Sequence, residues 1–257
     1  MPTILGINIL VFLGWQVALE APSLLRFFET HFLVSADRLA DGYFWTLLTS
    51  VFSHNLLWHL LINMIVLYSF GSVLERLWGA RFFTAFYLAA GIVASLGHVF
   101  VSSVILDEAY MPALGASGAI AGILMAFALM FPRQKILIFG IIPIPALVGA
   151  LAFVALDVWG VIAQRGGGGL PIGHGAHLGG AAFGAVMYFA YLRPRLRPRA
   201  PGRSPWTESR SPTFPISSDE AQELARLREK IDREGPESLS SKEREFLLRL
   251  RDRFQSV

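Results

Sequence analysis

Six apolar runs, at about residues 4–20, 55–74, 82–105, 113–131, 136–163 and 172–192, take up most of this 257-residue chain. At about 1.5 Å per residue, each is read as long enough to cross ~30 Å of hydrocarbon as a helix. Composition agrees: 54% of residues are hydrophobic and 16% charged, where a soluble domain carries about one quarter charged. The expected fold class is all-α, a polytopic membrane protein with six transmembrane helices in residues 1–192. A Pro/Arg/Ser-rich linker, 193–216, and a small cytosolic αα-hairpin, 217–257, should follow. Residues 1–20 lack the positive n-region of a secretory signal, so they read as a retained first span.

Charge is sorted by loop. Arg76 and Arg81 lie between spans two and three, Arg133 and Lys135 between four and five, and Arg193, Arg195, Arg197, Arg199 and Arg203 after span six. The alternate loops hold few positive residues and carry Asp37, Asp41, Asp107 and Glu108. By the positive-inside rule both termini are cytoplasmic, and spans two, four and six enter from outside. The net charge of +3 therefore follows the membrane and does not indicate a nucleic-acid partner. Cysteine is absent, so no disulfide framework or thiolate metal site exists, and neither a metal nor a cofactor is expected.

Three polar motifs interrupt the apolar spans. HLLIN places His59 and Asn63 four apart, on one helical face. ALGASGAIAG, residues 113–122, places Ser117 among glycines at the head of span four, and GHGAHLGG, 173–180, places His174 and His177 at the head of span six. Taken singly, each has a plain packing explanation. Gly115, Gly118, Ala119 and Gly122 let helices approach closely, and a His–Asn pair can hold two spans together by hydrogen bonds. Depth joins them: His59, Ser117 and His177 all fall in about the first two turns of inward-running spans, hence in the same outer part of the bilayer. If the small faces of spans four and six meet, including Gly180 and Gly184, His177 can take the proton of Ser117, whose hydroxyl is otherwise a weak nucleophile. The Ser117 backbone N–H, with His59 and Asn63, would then donate to the oxyanion.

The remaining stretches are read more plainly. Residues 21–53 are too apolar for a solvated linker and should lie in the interface, with Phe27, Phe28, Tyr43 and Trp45 among the anchors. Pro143 and Pro145 should disturb the first turns of span five, which also carries Asp157, a candidate third partner that could equally be solvated near the outer interface. His98 reads as a satisfied polar residue, and His174 as nearer the mouth and wetter than His177. In the tail, Ser217 to Glu220 and Ser240 to Glu243 have the spacing of capping boxes. Leu224, Leu227 and Ile231 on the first helix and Phe246, Leu247, Leu250 and Phe254 on the second form single apolar stripes, suited to an interaction or regulatory appendage with an unidentified cytosolic partner.

HxxxN at His59–Asn63, GASG at Gly115–Gly118 and AHLGG followed by Gly184, in this order, resemble the rhomboid intramembrane serine proteases over about residues 1–192. The resemblance implies Ser117 as nucleophile, His177 as base, and His59, Asn63 and the Ser117 N–H as the oxyanion site. It also implies His54 near a water-filled mouth, with Gly115 a further auxiliary position. The implied substrate is a transmembrane helix, locally unwound and cut near the outer face. Two positions depart from the pattern: Trp45 is followed by Thr46 where the family often has arginine, and Ala121, four after the serine, replaces a frequent aromatic. The tail is similar to those following some bacterial rhomboids, so the expected location is a bacterial plasma (inner) membrane, with the lipid bilayer and transmembrane proteins as partners. Two other readings stand beside the protease: a weak or inactive rhomboid-like protein that binds membrane proteins, and a channel or transporter. The transporter should show an internal repeat or paired broken helices, and neither is found in the sequence.

Overall fold

Proline and glycine set several element boundaries in this structure, a computed structural model that describes residues 1–138, 141–170, 172–196 and 217–255. Helix α1 (Pro2–Ala18) and helix α2 (Pro22–Phe32) each begin on proline, whose missing N–H is not needed in a first helical turn. The segment after α2 continues with the short helices α3 (Ala36–Ala40) and α4 (Thr46–Thr49). It is tied down at defined points. The Phe28 ring packs on Trp15 with centroids 5.2 Å apart, Trp15 Nε1 donates to Ser53 Oγ at 2.6 Å, and Trp45 Nε1 donates to His31 Nδ1 at 3.1 Å. Thr46, which stands where an arginine is frequent, is buried and donates to the Tyr43 carbonyl at 2.6 Å. The Trp45–His31 pair anchors this segment without that arginine.

A continuous helix, Leu57–Trp78, comprises α5 (Leu57–Val66), a π turn at Leu67–Gly71 and α6 (Ser72–Trp78). Gly79, at φ 80°, reverses the chain into α7 (Ala80–Phe100), which runs on through a second π turn to Ile105. These two helices and α9 (Ala146–Arg165) are long and apolar enough to cross a membrane; α1 and α8 (Ser117–Met130) are apolar but shorter. Helix α10 (His174–Met187) extends through a π turn at Tyr188–Leu192 into α11 (Arg193–Leu196).

Two expected boundaries are corrected. Span four was expected from 113, but helix α8 begins at Ser117; residues 106–116 form irregular backbone that is exposed at Asp107, Ala109, Tyr110 and Pro112 and becomes buried at Ala116, where the helix starts. Helix α8 can be short because its neighbours cover it: residues 118–123 and 125–128 are all buried. Span five was expected from 136, but β1 (Lys135–Ile138) pairs antiparallel with β2 (Ile142–Pro145), Ile136 opposite Ile144, and α9 starts only at Ala146. Pro143 and Pro145 have no N–H to give, and two residues apart they leave the same edge of β2 without donors, so the segment suits a two-stranded ribbon and not a helix.

Helix α10 packs most extensively on α8 and α7. Small residues make this possible: a Cβ at Gly180 would overlap the Gly118 carbonyl oxygen, one at Gly184 the Gly122 oxygen, and one at Gly97 would lie 2.7 Å from the Gly175 oxygen. Since lipid tails are as apolar as leucine, this close van der Waals contact is what holds the helices together.

The chain divides into the units Met1–Arg197 and Pro198–Val257. Most of the expected linker, residues 197–216, lies outside the described residues, as does the Phe254 side chain. In the second unit, Ser217 and Glu220 form a complete capping box at the head of α12 (Ser218–Glu234), and α13 (Ser241–Gln255) follows a Gly235 turn. Glu243 joins the two helices: its carboxylate accepts from Lys230 Nζ at 2.9 Å and Arg226 Nη2 at 2.9 Å, while also accepting from the Ser240 N–H at 2.7 Å. The Lys230 ammonium, then the Ser240 donors, hold this carboxyl down at about 2 against an ordinary 4.5. A lowered carboxyl pKa stabilises the fold above the ordinary value, and that contribution is lost as pH falls toward 2. Glu243→Ala removes the same contacts at neutral pH. Amide exchange across α12 and α13 should rise about fivefold, with the protection of α7 and α8 unchanged, as read by hydrogen-exchange mass spectrometry.

Candidate active site

Ser117 is the first residue of α8, placed by three contacts in the turn before it. The Gly115 N–H donates to the Ser50 carbonyl at 2.9 Å, the Ala116 N–H donates to His54 Nε2 at 3.3 Å, and His98 Nε2 lies 3.0 Å from the Met111 carbonyl. Gly115 has φ 122°, a backbone that L side chains rarely adopt, and a Cβ there would stand 2.6 Å from His59 Cε1. Glycine is thus required on two counts, and it brings the His59 ring against the turn leading into Ser117. As the start of a helix, this turn presents backbone N–H groups without intrahelical acceptors.

The Ser117 hydroxyl donates to His177 Nε2 at 2.9 Å, and His177 Nδ1 lies 2.9 Å from Asp157 Oδ1. His174 Nδ1 lies 2.7 Å from the same oxygen. One carboxylate oxygen can accept from both rings, whereas as a donor it could serve only one. Both imidazoles are therefore Nδ1–H tautomers, which leaves His177 Nε2 with a free lone pair toward Ser117. All three residues are buried, Asp157 at 3% exposure and His174 at 9%. The sequence left Asp157 open between a third partner and a solvated residue near the outer interface, and placed His174 at a wetter mouth; the packing of α9 against α10 buries both.

The Phe153 ring lies over His177, centroids 5.2 Å apart and 33° from parallel. Sequence reasoning did not find it. The aromatic missing at Ala121 on α8 is supplied from α9, a substitution between helices that no local motif records. Ala121 and Phe153 also line a small apolar cavity of about 180 Å³ beneath the serine.

A larger cavity of about 760 Å³ contains His59, Asn63, Gly115, Ser117, Phe153 and His177 in its wall. Asn63 is buried, and its Nδ2 donates to the His59 carbonyl one turn back at 2.8 Å, leaving the second amide hydrogen for another acceptor. His54 is elsewhere. It is fully buried behind the Ala116 N–H, with its ring edge-on to His59 at 4.9 Å, and not at a wet mouth. Among the described residues, Asp157, His174 and His177 bring ligand-type atoms within 4.8 Å of one another; those atoms are engaged in the hydrogen bonds above.

Residues 41–194 match the Rhomboid domain model. The chain is 36% identical over 191 residues to Rhomboid protein 1, mitochondrial, of Saccharomyces cerevisiae, covering 74% of this chain and 52% of that one. It is 35% identical over 192 residues to human Presenilin-associated rhomboid-like protein, mitochondrial, covering 73% and 47%. To RHOMBOID-like protein 12, mitochondrial, of Arabidopsis thaliana it is 30% identical over 199 residues, covering 73% and 56%. The chain thus spans about half the length of these relatives. With its helical build and membrane-length apolar helices, this chain belongs to the rhomboid family of membrane proteins.

Proposed function

We propose that the protein is an intramembrane serine endopeptidase that cuts transmembrane-helix substrates near the outer membrane face. The observation that carries this reading is the Ser117 hydroxyl, 2.9 Å from a bare imidazole nitrogen in the wall of a large cavity. Ser117 Oγ attacks the scissile carbonyl while His177 Nε2 takes its proton. The carbonyl oxygen becomes an oxyanion facing the Ser117 N–H, with His59 and the second Asn63 amide hydrogen as further donors. As the intermediate collapses, His177 returns the proton to the leaving amine, an acyl-enzyme forms, and water activated by the same nitrogen releases it. Asp157 orients His177 and stabilises its imidazolium form; Phe153 holds the ring plane.

A six-span arrangement with both termini on the cytoplasmic side is part of the proposal, supported by the loop charges and the apolar helices α1, α5–α6, α7, α8 and α9, with α10, packed on α7 and α8, as the sixth. Residues 1–192 then carry catalysis, and 217–257 form a cytosolic helical appendage for a partner. The relatives' names place them in mitochondria, so the expectation of a bacterial inner membrane draws no support from them.

A serine-directed fluorophosphonate tests the reaction class. The purified protein in lipid should take up one adduct, located by peptide mass spectrometry on Ser117, at a rate that falls below detection in His177→Ala. A cavity that only binds membrane helices predicts no adduct, as does a channel, and an unlabelled Ser117 would overturn the protease reading.

A further inference from the structure

Four residues of α9, Phe153, Asp157, Gly160 and Gln164, recur at i, i+4, i+7 and i+11, so they line one helical face. Each meets the head of α10 or the chain leading into it. Phe153 covers the His177 ring and Asp157 Oδ1 serves both histidines. A Cβ at Gly160 would overlap the His174 ring, so that imidazole rests directly on bare helix backbone. Gln164 Nε2 donates to the Leu170 and Ile172 carbonyls, at 2.9 Å each, and fixes the chain just before His174.

We propose that His174 is a positioning residue for His177, acting by donating to the Asp157 oxygen that His177 also uses. The inference rests on the Ser117–His177 reading above. A carboxylate can swing about its terminal torsion and exchange one oxygen for the other. Asp157 Oδ2 is buried with no partner among the described residues, so only the donors on Oδ1 oppose that swing. With His177 as sole donor, the carboxylate and the imidazole turn together as one loosely hinged pair. A second N–H, on a ring lodged against the α9 backbone, closes the hinge and keeps His177 Nε2 aimed at Ser117. His174 touches no reacting atom: its ring stands nearly perpendicular to that of His177, with centroids 6.4 Å apart, and its Nδ1 is taken up by Asp157.

Asparagine places its amide nitrogen where histidine places Nδ1, whereas leucine fills a similar space with no donor. In the full-length protein in lipid, His174→Leu should lower kcat on a membrane-helix reporter about tenfold, with KM within about twofold of wild type. The rate of fluorophosphonate labelling of Ser117 should fall by the same factor. His174→Asn should restore both to within about threefold of wild type. A role confined to packing would instead lower the melting temperature and leave Asn no better than Leu. Wild-type kcat and labelling in His174→Leu, or an Asn variant as slow as Leu, would overturn the proposal. Should the Leu variant not fold, Asn decides alone: kcat within threefold supports the donor, and a tenfold fall rejects it. Failure of the underlying reading looks different, since Ser117 then goes unlabelled in the wild type as well.

Discussion

Ser117→Ala and His177→Ala are each expected to reduce cleavage of a membrane-helix reporter by at least about 10⁴-fold, and the double variant to lose nothing further. The reason is that the two side chains make one functional unit: without His177 Nε2 at 2.9 Å, the Ser117 hydroxyl keeps its proton at neutral pH, and without the hydroxyl the imidazole has nothing to activate. Asp157→Asn should cost about 10⁴-fold, because the amide no longer offsets the charge of the imidazolium and can turn its N–H toward His177 Nδ1, which favours the wrong tautomer. Folding is expected to survive the serine change, which removes one oxygen from a cavity wall. Removing the His177 ring leaves Asp157 bonded to His174 and Phe153 uncovered, so a few degrees of melting temperature should go with it. Rates are to be compared on purified protein in lipid with the folded fraction measured alongside. Cleavage by Ser117→Ala at more than a hundredth of the wild-type rate would assign the nucleophile elsewhere.

Contacts confined to one helix were legible in the sequence, as was the meeting of α8 and α10 through small residues that brings His177 to Ser117; the detailed contacts of α9 were not. His59 and Asn63 could be placed on one face by spacing alone, and Ser117 and His177 could be placed at one depth by counting from the heads of their spans. The capping boxes of α12 and α13 are local in the same way, and both have the expected partners. The His174–Asp157–His177 arrangement depends on the register of α9 against α10, which hydropathy does not encode. A signal was nevertheless available: Phe153, Asp157, Gly160 and Gln164 share a helical face, and a buried acid on an otherwise apolar helix requires a partner. His98 was read as a satisfied polar residue and is one, through the Met111 carbonyl. The two misplaced boundaries share a cause. Hydropathy scores apolar composition without regard to backbone conformation, so it extended span four over a half-buried loop and span five over a ribbon of alternating isoleucine and proline.

Gly180→Ala carries the largest expected effect of any single methyl group added to this protein. Helix propensity by itself favours alanine over glycine by about 1 kcal/mol, so a substitution governed by propensity would stabilise α10. The packing predicts the reverse. The added carbon would overlap the Gly118 carbonyl oxygen, which belongs to the α8 backbone and cannot turn aside as a side chain can. The helices must therefore separate, breaking the close contact that also involves Gly122 and Gly184, at a cost of about 1–3 kcal/mol. Gly118 adjoins Ser117 and Gly180 follows His177 by three residues, so separation opens the 2.9 Å hydrogen bond directly. A displacement of about 1 Å between reacting groups costs about 100-fold in rate. Gly180→Ala should accordingly melt several degrees lower and cleave about 100-fold more slowly, even when the rate is corrected for the folded fraction. Gly6→Ala on α1 is the matched control, because a Cβ there meets nothing within 4 Å, and it should melt at or above wild type with activity unchanged. If Gly180→Ala behaves like Gly6→Ala, the α8–α10 contact is looser than described, and Ser117 and His177 are aligned by α9 alone.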